Sequence, residues 1–101
     1  MGKRSKDWNE YLYEQLRDID YAQKFIITCL EEGVSLQIAL GKAIRAYGIK
    51  EFSKKVNIPS SNIIRAINPN YNPSKTTLEK LLKPFSLKLT VTPVKSDKEA
   101  A

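Results

Sequence analysis

The sequence contains no histidine and only one cysteine, Cys29. Without histidine, the usual zinc sites cannot form, and neither a serine–histidine nor a cysteine–histidine pair is available for nucleophilic catalysis. A lone cysteine also cannot form an intramolecular disulfide bond. Carboxylates and lysines remain as reactive groups, but they form no recognisable catalytic pattern. The composition therefore favours a binding protein over an enzyme, and no cofactor or metal is expected.

Long apolar runs are absent as well. Hydrophobic residues make up 42% of the 101-residue chain, which suits one globular core and is too high for a disordered protein. No stretch is long enough to span a membrane, and no apolar segment of a signal peptide follows Met1. We expect a cytoplasmic protein with no membrane partner, a single domain at 7–94 and disordered tails at 1–6 and 95–101.

Charge is distributed unevenly along the chain. Residues 7–32 contain two basic and seven acidic side chains, whereas residues 42–95 contain eleven basic and two acidic ones. An asymmetry of this size suggests a polyanion as the partner of the basic half. A solvated lysine surface is the alternative explanation.

Apolar residues at three- and four-residue spacing predict helices through most of the chain and hence an all-α fold. Asp7 and Asp20 are the predicted N-caps of two acidic helices within residues 7–33, and Gly33 ends the second. Cys29 lies in the apolar stripe of this second helix. That position predicts a core residue rather than a reactive thiol.

A helix-turn-helix core is predicted over residues 35–86. Ser35 is the expected N-cap of its first helix, and Gly48 is the expected end. Gly41 lies inside this helix at a cost in helix stability, which indicates close packing of another helix.

Two short helices are predicted next, at residues 50–56 and 60–67. The following segment, 68–74, contains two prolines and three asparagines, which is typical of a loop. A last helix begins at Ser74 or Thr76 and has an apolar face.

Residues 87–92 change period, because Leu87, Leu89 and Val91 alternate with polar residues as they do in a strand. A strand needs a partner for its backbone donors and acceptors, and the sequence offers no second strand. The partner strand would come from another copy of the chain or from a different protein.

Residues 49–68 have the pattern of a helix-turn-helix, which needs apolar residues at the helix contact, a small residue there and a tight turn. Ser53 is the small residue. Asn57 occupies the turn, where a positive φ favours glycine but tolerates asparagine. Pro59 suits the first turn of the second helix, and Ser60 is its expected cap. The apolar set comprises Phe52, Val56, Ile58, Ile63 and Ala66 or Ile67.

The outer face of the second short helix has side chains suited to a DNA major groove. Arginine bonds guanine through two hydrogen bonds, asparagine bonds adenine, and isoleucine contacts the thymine methyl group. An ordinary helix pair with a polar outside is the alternative. The predicted base-reading residues are Ser60, Ser61, Asn62, Ile64 and Arg65. The predicted DNA phosphate contacts are Lys42, Arg45, Lys50, Lys54, Lys55, Asn68 and Lys75.

Several short segments occur in a recognisable order from Trp8 to Leu89. They are Glu10-Tyr11-Leu12, Leu30-Glu31-Glu32-Gly33, residues 39–49, the window at 49–68, Asn72-Pro73 ahead of Leu78, and residues 85–89. No single segment is specific, but the ordered set resembles the addiction-module antidote family. These are HigA-like antitoxins with an Xre-type, lambda-repressor-like helix-turn-helix.

The resemblance implies a lambda-repressor-like bundle of five to six helices with a short C-terminal strand. It also implies the antitoxin of a type II toxin–antitoxin module, which neutralises a RelE/HigB-like ribonuclease toxin and represses its own operon. Such a protein binds operator DNA as a homodimer. The chain departs from the family pattern at Asn57, Pro59, Ile64 and Tyr71, so the base preference does not carry over.

If the chain is an antitoxin, the acidic helices are expected to bind the toxin, because a ribonuclease binds RNA with a basic surface that carboxylates can cover. A solvated helix face is the alternative explanation of the same residues. Two other functions also fit the chain: a phage or mobile-element regulator of the Xre type without a toxin, and an interaction domain that has lost DNA binding. The candidate toxin contacts are Glu10, Glu14, Asp18, Glu31 and Glu32.

Overall fold

The computed structural model describes residues 8–90, which form six α-helices and one short 3₁₀ helix. The predicted all-α class is confirmed for this part of the chain. The predicted Asp7 cap and both predicted tails lie outside the described residues. The helices are α1 (Trp8–Leu16), α2 (Ile19–Glu31), α3 (Leu36–Tyr47), α4 (Ile49–Val56), α5 (Ser60–Ala66) and α6 (Lys75–Leu82), and the 3₁₀ helix is Lys83–Phe85.

Helix α3 is the centre of the bundle and contacts α1, α2 and α4. Its Leu40 and Ile44 side chains are completely buried, and alanines on either side of them let the neighbouring helices approach closely. Leu16 of α1 and Ile26 of α2 belong to the same hydrophobic core. The acidic N-terminal helices therefore share one hydrophobic core with the later helices.

Three aromatic rings connect α3, α4 and the 3₁₀ helix. Phe52 stacks on Phe85 with 5.6 Å between ring centroids, and Tyr47 meets Phe52 edge-on at 5.4 Å. Phe52 and Phe85 are both fully buried. Pairs of this geometry add about 0.5–1.5 kcal/mol to the stabilisation that burial alone gives. The rings thereby hold α4 against the C-terminal end of the described chain.

Polar side chains cap the starts of three helices. The Ser35 and Ser74 hydroxyls accept hydrogen bonds from backbone N–H groups of α3 and α6, which confirms both as N-caps. The prediction for Asp20 is wrong, because Asp18 is the N-cap and its carboxylate accepts the Asp20 N–H at 2.9 Å. The helix begins at Ile19, so Asp20 lies within the first turn, where a carboxylate also interacts favourably with the helix dipole.

Two glycines with positive φ mark the predicted helix ends. Gly33, with φ of 87°, follows α2, and the next N–H, of Val34, donates to the Cys29 carbonyl at 2.8 Å in a Schellman arrangement. Gly48, with φ of 108°, ends α3 and directly precedes α4. Both predicted helix ends are confirmed, and α3 and α4 share a single junction residue.

The predicted strand is not formed at residues 87–90, which have no regular secondary structure, and its last two residues lie outside the described part. Leu87 and Leu89 instead pack against the core of their own chain. The amide of Gln23 on α2 donates to two carbonyls just before this segment, at 3.1 and 3.3 Å. The alternation therefore reflects burial on one side, and within residues 8–90 no strand is present to pair with it.

Candidate nucleic-acid interface

Helices α4 and α5 meet at a tight turn whose geometry follows from three residues. Asn57 takes the left-handed conformation, with φ of 60° and ψ of 44°, as the sequence predicted. The Ser53 hydroxyl donates a hydrogen bond to the carbonyl of Ile58 and so connects the two sides of the turn. Behind them, Phe52 and Ile63 are fully buried. The contact between α4 and α5 is therefore buried on the core side, and the opposite side of α5 is exposed to solvent.

The start of α5 differs from its prediction. Pro59 is the N-cap, and Ser60 is already the first helical residue, so the expected Ser60 cap is wrong. Proline fixes its own φ at about −65°, close to the −56° seen here, and has no side-chain acceptor with which to cap. The Pro59 carbonyl accepts the N–H groups of Asn62 and Ile63 at 3.0 and 3.1 Å. The Ser60 side chain is therefore not engaged in capping.

The predicted base-reading residues share the side of α5 that faces away from the core. Ser61, Asn62 and Arg65 are exposed, Ser60 is half-buried, and the apolar side chain of Ile64 is 51% exposed. The face combines hydrogen-bonding and methyl-contacting groups on one short helix.

A groove of about 260 Å³ runs between α3 and α5. It brings Lys42, Arg45 and Asn68, three of the predicted phosphate contacts, next to Ile64. Ile38 of α3 also lines the groove and is 41% exposed. Sequence reasoning missed Ile38, although its spacing from Lys42 and Arg45 places all three on one face of α3.

A second groove, of about 170 Å³, lies on the α6 side of α5. Asn62 and Arg65 line it together with Tyr71 from the loop and Thr77 from α6. The Arg65 guanidinium carbon is 6.0 Å from the centroid of the Tyr71 ring, within the range of a cation–π contact. No local sequence signal indicates this contact, because Tyr71 lies in a loop whose conformation the sequence pattern does not fix.

The loop between α5 and α6 is held by Gln37 from the first turn of α3. Its side-chain amide nitrogen lies 2.8 Å from the carbonyl oxygens of Ala66 and Asn68 and 2.9 Å from that of Tyr71. These carbonyls come at and after the end of α5, where helix carbonyls have no partner within the helix. Gln37 thus fixes the end of α5 relative to α3, a role that sequence reasoning also missed.

The remaining predicted phosphate contacts do not form one cluster. Lys50 and Lys54 are exposed on α4. Lys55 lines a different groove, of about 440 Å³, with Lys80 and Lys83. Lys75 is paired with Glu79 at 3.9 Å, but both side chains are well exposed, so the pair is weak.

The acidic candidates lie on the N-terminal helices and have different surroundings. Asp18 is exposed, but one of its oxygens caps α2. Glu31 and Glu32 are exposed at the C-terminal end of α2, and Glu10 and Glu14 are exposed on α1. A carboxylate at the C-terminal end of a helix is repelled by the helix dipole, which makes Glu31 and Glu32 unfavourable for the fold alone.

No known protein family, curated protein or solved structure matches the chain. Within residues 8–90, no helix combines the length and the apolar character of a membrane span. Among these described residues, no three side chains lie close enough together in space to hold a metal ion. The function has to be inferred from the arrangement of this chain's own residues.

Proposed function

We propose that the chain is a sequence-specific DNA-binding transcriptional repressor in which α4 and α5 form a lambda-repressor-like helix-turn-helix. The observation that carries this proposal is the outer face of α5, where Asn62, Ile64 and Arg65 are exposed. Ile64 also shares a groove with Lys42 and Arg45 of α3. Groups that bond base edges and a base methyl lie on the helix itself. Groups that neutralise phosphates lie directly beside it.

In this proposal α5 enters the major groove and α3 faces the adjoining backbone. Arg65 bonds guanine, Asn62 bonds adenine, and Ile64 contacts a thymine methyl group. Lys42 and Arg45 contact phosphates, which supplies affinity without sequence preference. Base readout and backbone affinity therefore belong to different residues, and mutation can separate them.

A single short helix covers only a few base pairs, so specific repression requires two copies on a two-fold operator. The proposed homodimer contact is the segment 87–92 or the last helix, α6. At residues 87–90 the backbone has no strand partner within the described chain, although the Leu87 N–H donates to the Leu82 carbonyl at 3.2 Å. Pairing with the same segment of a second copy would satisfy the remaining backbone groups.

The test of DNA binding is a fluorescence titration of the chain with its own upstream duplex and with a scrambled duplex, at two salt concentrations. Arg65→Ala is expected to cost roughly 1–3 kcal/mol of discrimination. Lys54→Ala is expected to weaken both duplexes alike and to lower the salt slope by about one unit. Lys24→Ala on α2 is the matched control and should change neither quantity.

Equal losses on both duplexes for Arg65→Ala would contradict base readout. If the wild-type chain binds neither duplex, the DNA-binding proposal fails and an interaction domain is favoured. Lys42→Ala and Lys55→Ala separate the two basic grooves, because Lys42 lines the groove between α3 and α5 and Lys55 lines the groove of Lys80 and Lys83. The salt slope should change less for Lys55→Ala than for Lys42→Ala.

We further propose that the repressor is the antitoxin of a type II toxin–antitoxin module and neutralises a RelE/HigB-like ribonuclease toxin. Two things support it: the ordered resemblance to the antidote family, and the exposed Glu31 and Glu32 at a helix end where they do not help the fold. A phage or mobile-element regulator of the Xre type, without a toxin, is the alternative.

A binding titration against the protein encoded by the adjacent gene distinguishes the two. Changing both Glu31 and Glu32 to lysine should weaken that complex strongly while leaving DNA binding intact. Glu51→Lys on α4 is the control for charge reversal elsewhere on the surface. Unchanged affinity of the double variant would remove these carboxylates from the toxin contact, and the absence of any complex would favour the regulator without a toxin.

A further inference from the structure

We infer that Tyr71 is a positioning residue for Arg65: its ring holds the guanidinium at the α6 edge of the proposed reading face and thereby sharpens base discrimination. The inference rests on the proposed function for its consequence on DNA. Its structural part, the contact between ring and guanidinium, applies to the free protein.

The contact joins two side chains that are otherwise open to solvent. The guanidinium carbon of Arg65 lies 6.0 Å from the ring centroid of Tyr71, and the tyrosine is 42% exposed. An aromatic ring attracts a cation through the negative charge on its face. Arg65 has no carboxylate partner among residues 8–90, so within that range the Tyr71 ring is the side chain that the structure places against its charge.

Tyr71 is itself held by its backbone on both sides. Its N–H donates to the Asn68 carbonyl at 3.0 Å, and its own carbonyl accepts the Gln37 amide at 2.9 Å. The loop before it is further tied by the Asn70 N–H, which donates to the Asn68 side chain at 2.9 Å. A loop residue fixed in this way presents its ring from a fixed place, whereas an unconstrained surface tyrosine would not.

A restricted arginine binds a base with a smaller loss of side-chain freedom. Arginine has among the largest rotamer entropies of the side chains, and ordering it costs free energy when a complex forms. If Tyr71 already limits those rotamers, part of that cost is removed before DNA arrives. Asn62 lines the same groove, so both proposed hydrogen-bonding readers lie at one edge of α5.

The first measurement uses the free protein. Ring-current shifts of the Arg65 Cδ protons in the NMR spectrum should be present in wild type, retained in Tyr71→Phe and lost in Tyr71→Leu. Tyr21→Leu, which removes a similarly exposed tyrosine on α2, is the matched control and should leave these signals in place. Unshifted Arg65 signals in wild type would overturn the inference, whatever the chain does with DNA.

The second measurement uses the tightest duplex selected from a random-sequence library and a copy with one guanine replaced. Tyr71→Leu should lower the discrimination between them about two- to fivefold, the range that an exposed cation–π contact provides. Tyr71→Phe should stay near wild type. In an Arg65→Ala background, Tyr71→Leu should have no further effect, because the interaction it removes is already gone.

The outcomes separate this inference from the proposed function. A full effect of Tyr71→Leu in the Arg65→Ala background, or equal weakening on both duplexes, would show that Tyr71 contacts DNA or the fold and does not act through Arg65. If selection yields no preferred duplex, the proposed function fails, and the NMR shifts alone decide whether Tyr71 positions Arg65. Unfolding curves of each variant show whether it is folded, so that a loss of folding is not mistaken for a loss of discrimination or of the NMR shifts.

Discussion

Gly41 of α3 packs against Ile67 at the end of α5, so closely that a Cβ atom on Gly41 would lie 3.5 Å from the isoleucine side chain. The sequence predicted close packing at this glycine, and the structure confirms it. The nearest other atom is a guanidinium nitrogen of Arg45, at 3.2 Å from the same Cβ position. That atom is the end of a flexible side chain and can move, whereas Ile67 is buried.

One methyl group therefore fits at position 41, and a larger side chain does not. Gly41→Ala is expected to stabilise the fold by about 0.4–1 kcal/mol, because alanine restricts the unfolded chain and favours the helix. Gly41→Leu is expected to destabilise it by roughly 1–3 kcal/mol through overpacking against Ile67. Urea unfolding of both variants measures the difference. A loss for Gly41→Ala comparable to that for Gly41→Leu would show that α3 and α5 cannot separate even slightly.

The turn between α4 and α5 depends on the left-handed backbone of Asn57. Asn57→Gly should leave the free energy of unfolding nearly unchanged, since glycine adopts this conformation without a steric penalty. Asn57→Ala should cost about 1 kcal/mol, because alanine meets the same Cβ penalty without the short polar side chain whose local hydrogen bonding lets asparagine adopt this conformation. Asn72→Ala is the control, as Asn72 is an exposed loop asparagine whose φ is not positive. Equal effects at both positions would exclude a conformational cause.

Gln37 is expected to matter more than its half-exposed position suggests. Gln37→Glu keeps the shape of the side chain but replaces the amide donor with an oxygen that faces three carbonyls. We expect a loss of about 1 kcal/mol in unfolding free energy and faster amide exchange at residues 68–71. Gln15→Glu on α1 is the matched change, because Gln15 is also a half-buried helical glutamine and lies on a different helix from Gln37. Unchanged exchange in the loop would contradict the role assigned to Gln37.

Cys29 is half-buried at the edge of the core, partly in keeping with its predicted core position. Burial raises the pKa of its thiol, and the Glu32 carboxylate raises that pKa further, while Lys42 lowers it. Since the thiolate is the nucleophile, iodoacetamide should alkylate the folded chain more slowly than the urea-unfolded chain and at higher pH. Glu32→Gln should shift the pH profile of alkylation only part of the way toward that of the unfolded chain, because burial of Cys29 remains.

The same shift has a defined effect on stability. The folded pKa of Cys29 lies above its unfolded value, so its contribution to stability is fully present below the unfolded pKa. That contribution is lost as pH rises through the folded pKa. The unfolding free energy of wild type should therefore fall with rising alkaline pH more than that of Cys29→Ala. Near neutral pH, neither protein should show a pH dependence that comes from this thiol. Parallel curves throughout would show that the thiol titrates alike in both states.

Local patterns predicted most of the helices. The helix starts predicted at Ser35 and Ser74 and the helix ends predicted at Gly33 and Gly48 are all found. A cap or a positive-φ residue interacts with atoms only a few positions away, so the local sequence is enough to predict it. The wrong prediction of Asp20 as an N-cap was also a local error. Two carboxylates two residues apart can both cap a helix, and which of them does so depends on where the preceding chain turns.

Contacts between distant segments were not predictable from local patterns. Gln37 binds carbonyls around thirty positions later, and Arg65 meets Tyr71 in a loop that those hydrogen bonds hold in place. The same holds at residues 87–90, where the predicted strand is not formed within the single chain. Alternation shows that one side is buried, but it does not show whether a strand or a helix covers that side.

The single residue that joins α3 to α4 limits how this fold can change in length. Inserting one residue at Gly48 would turn α4 by about 100° and advance it by about 1.5 Å. Phe52 would leave its place between Tyr47 and Phe85, and the turn at Asn57 would move with it. Descendants of this sequence should therefore tolerate gains and losses of residues elsewhere and keep this corner at constant length.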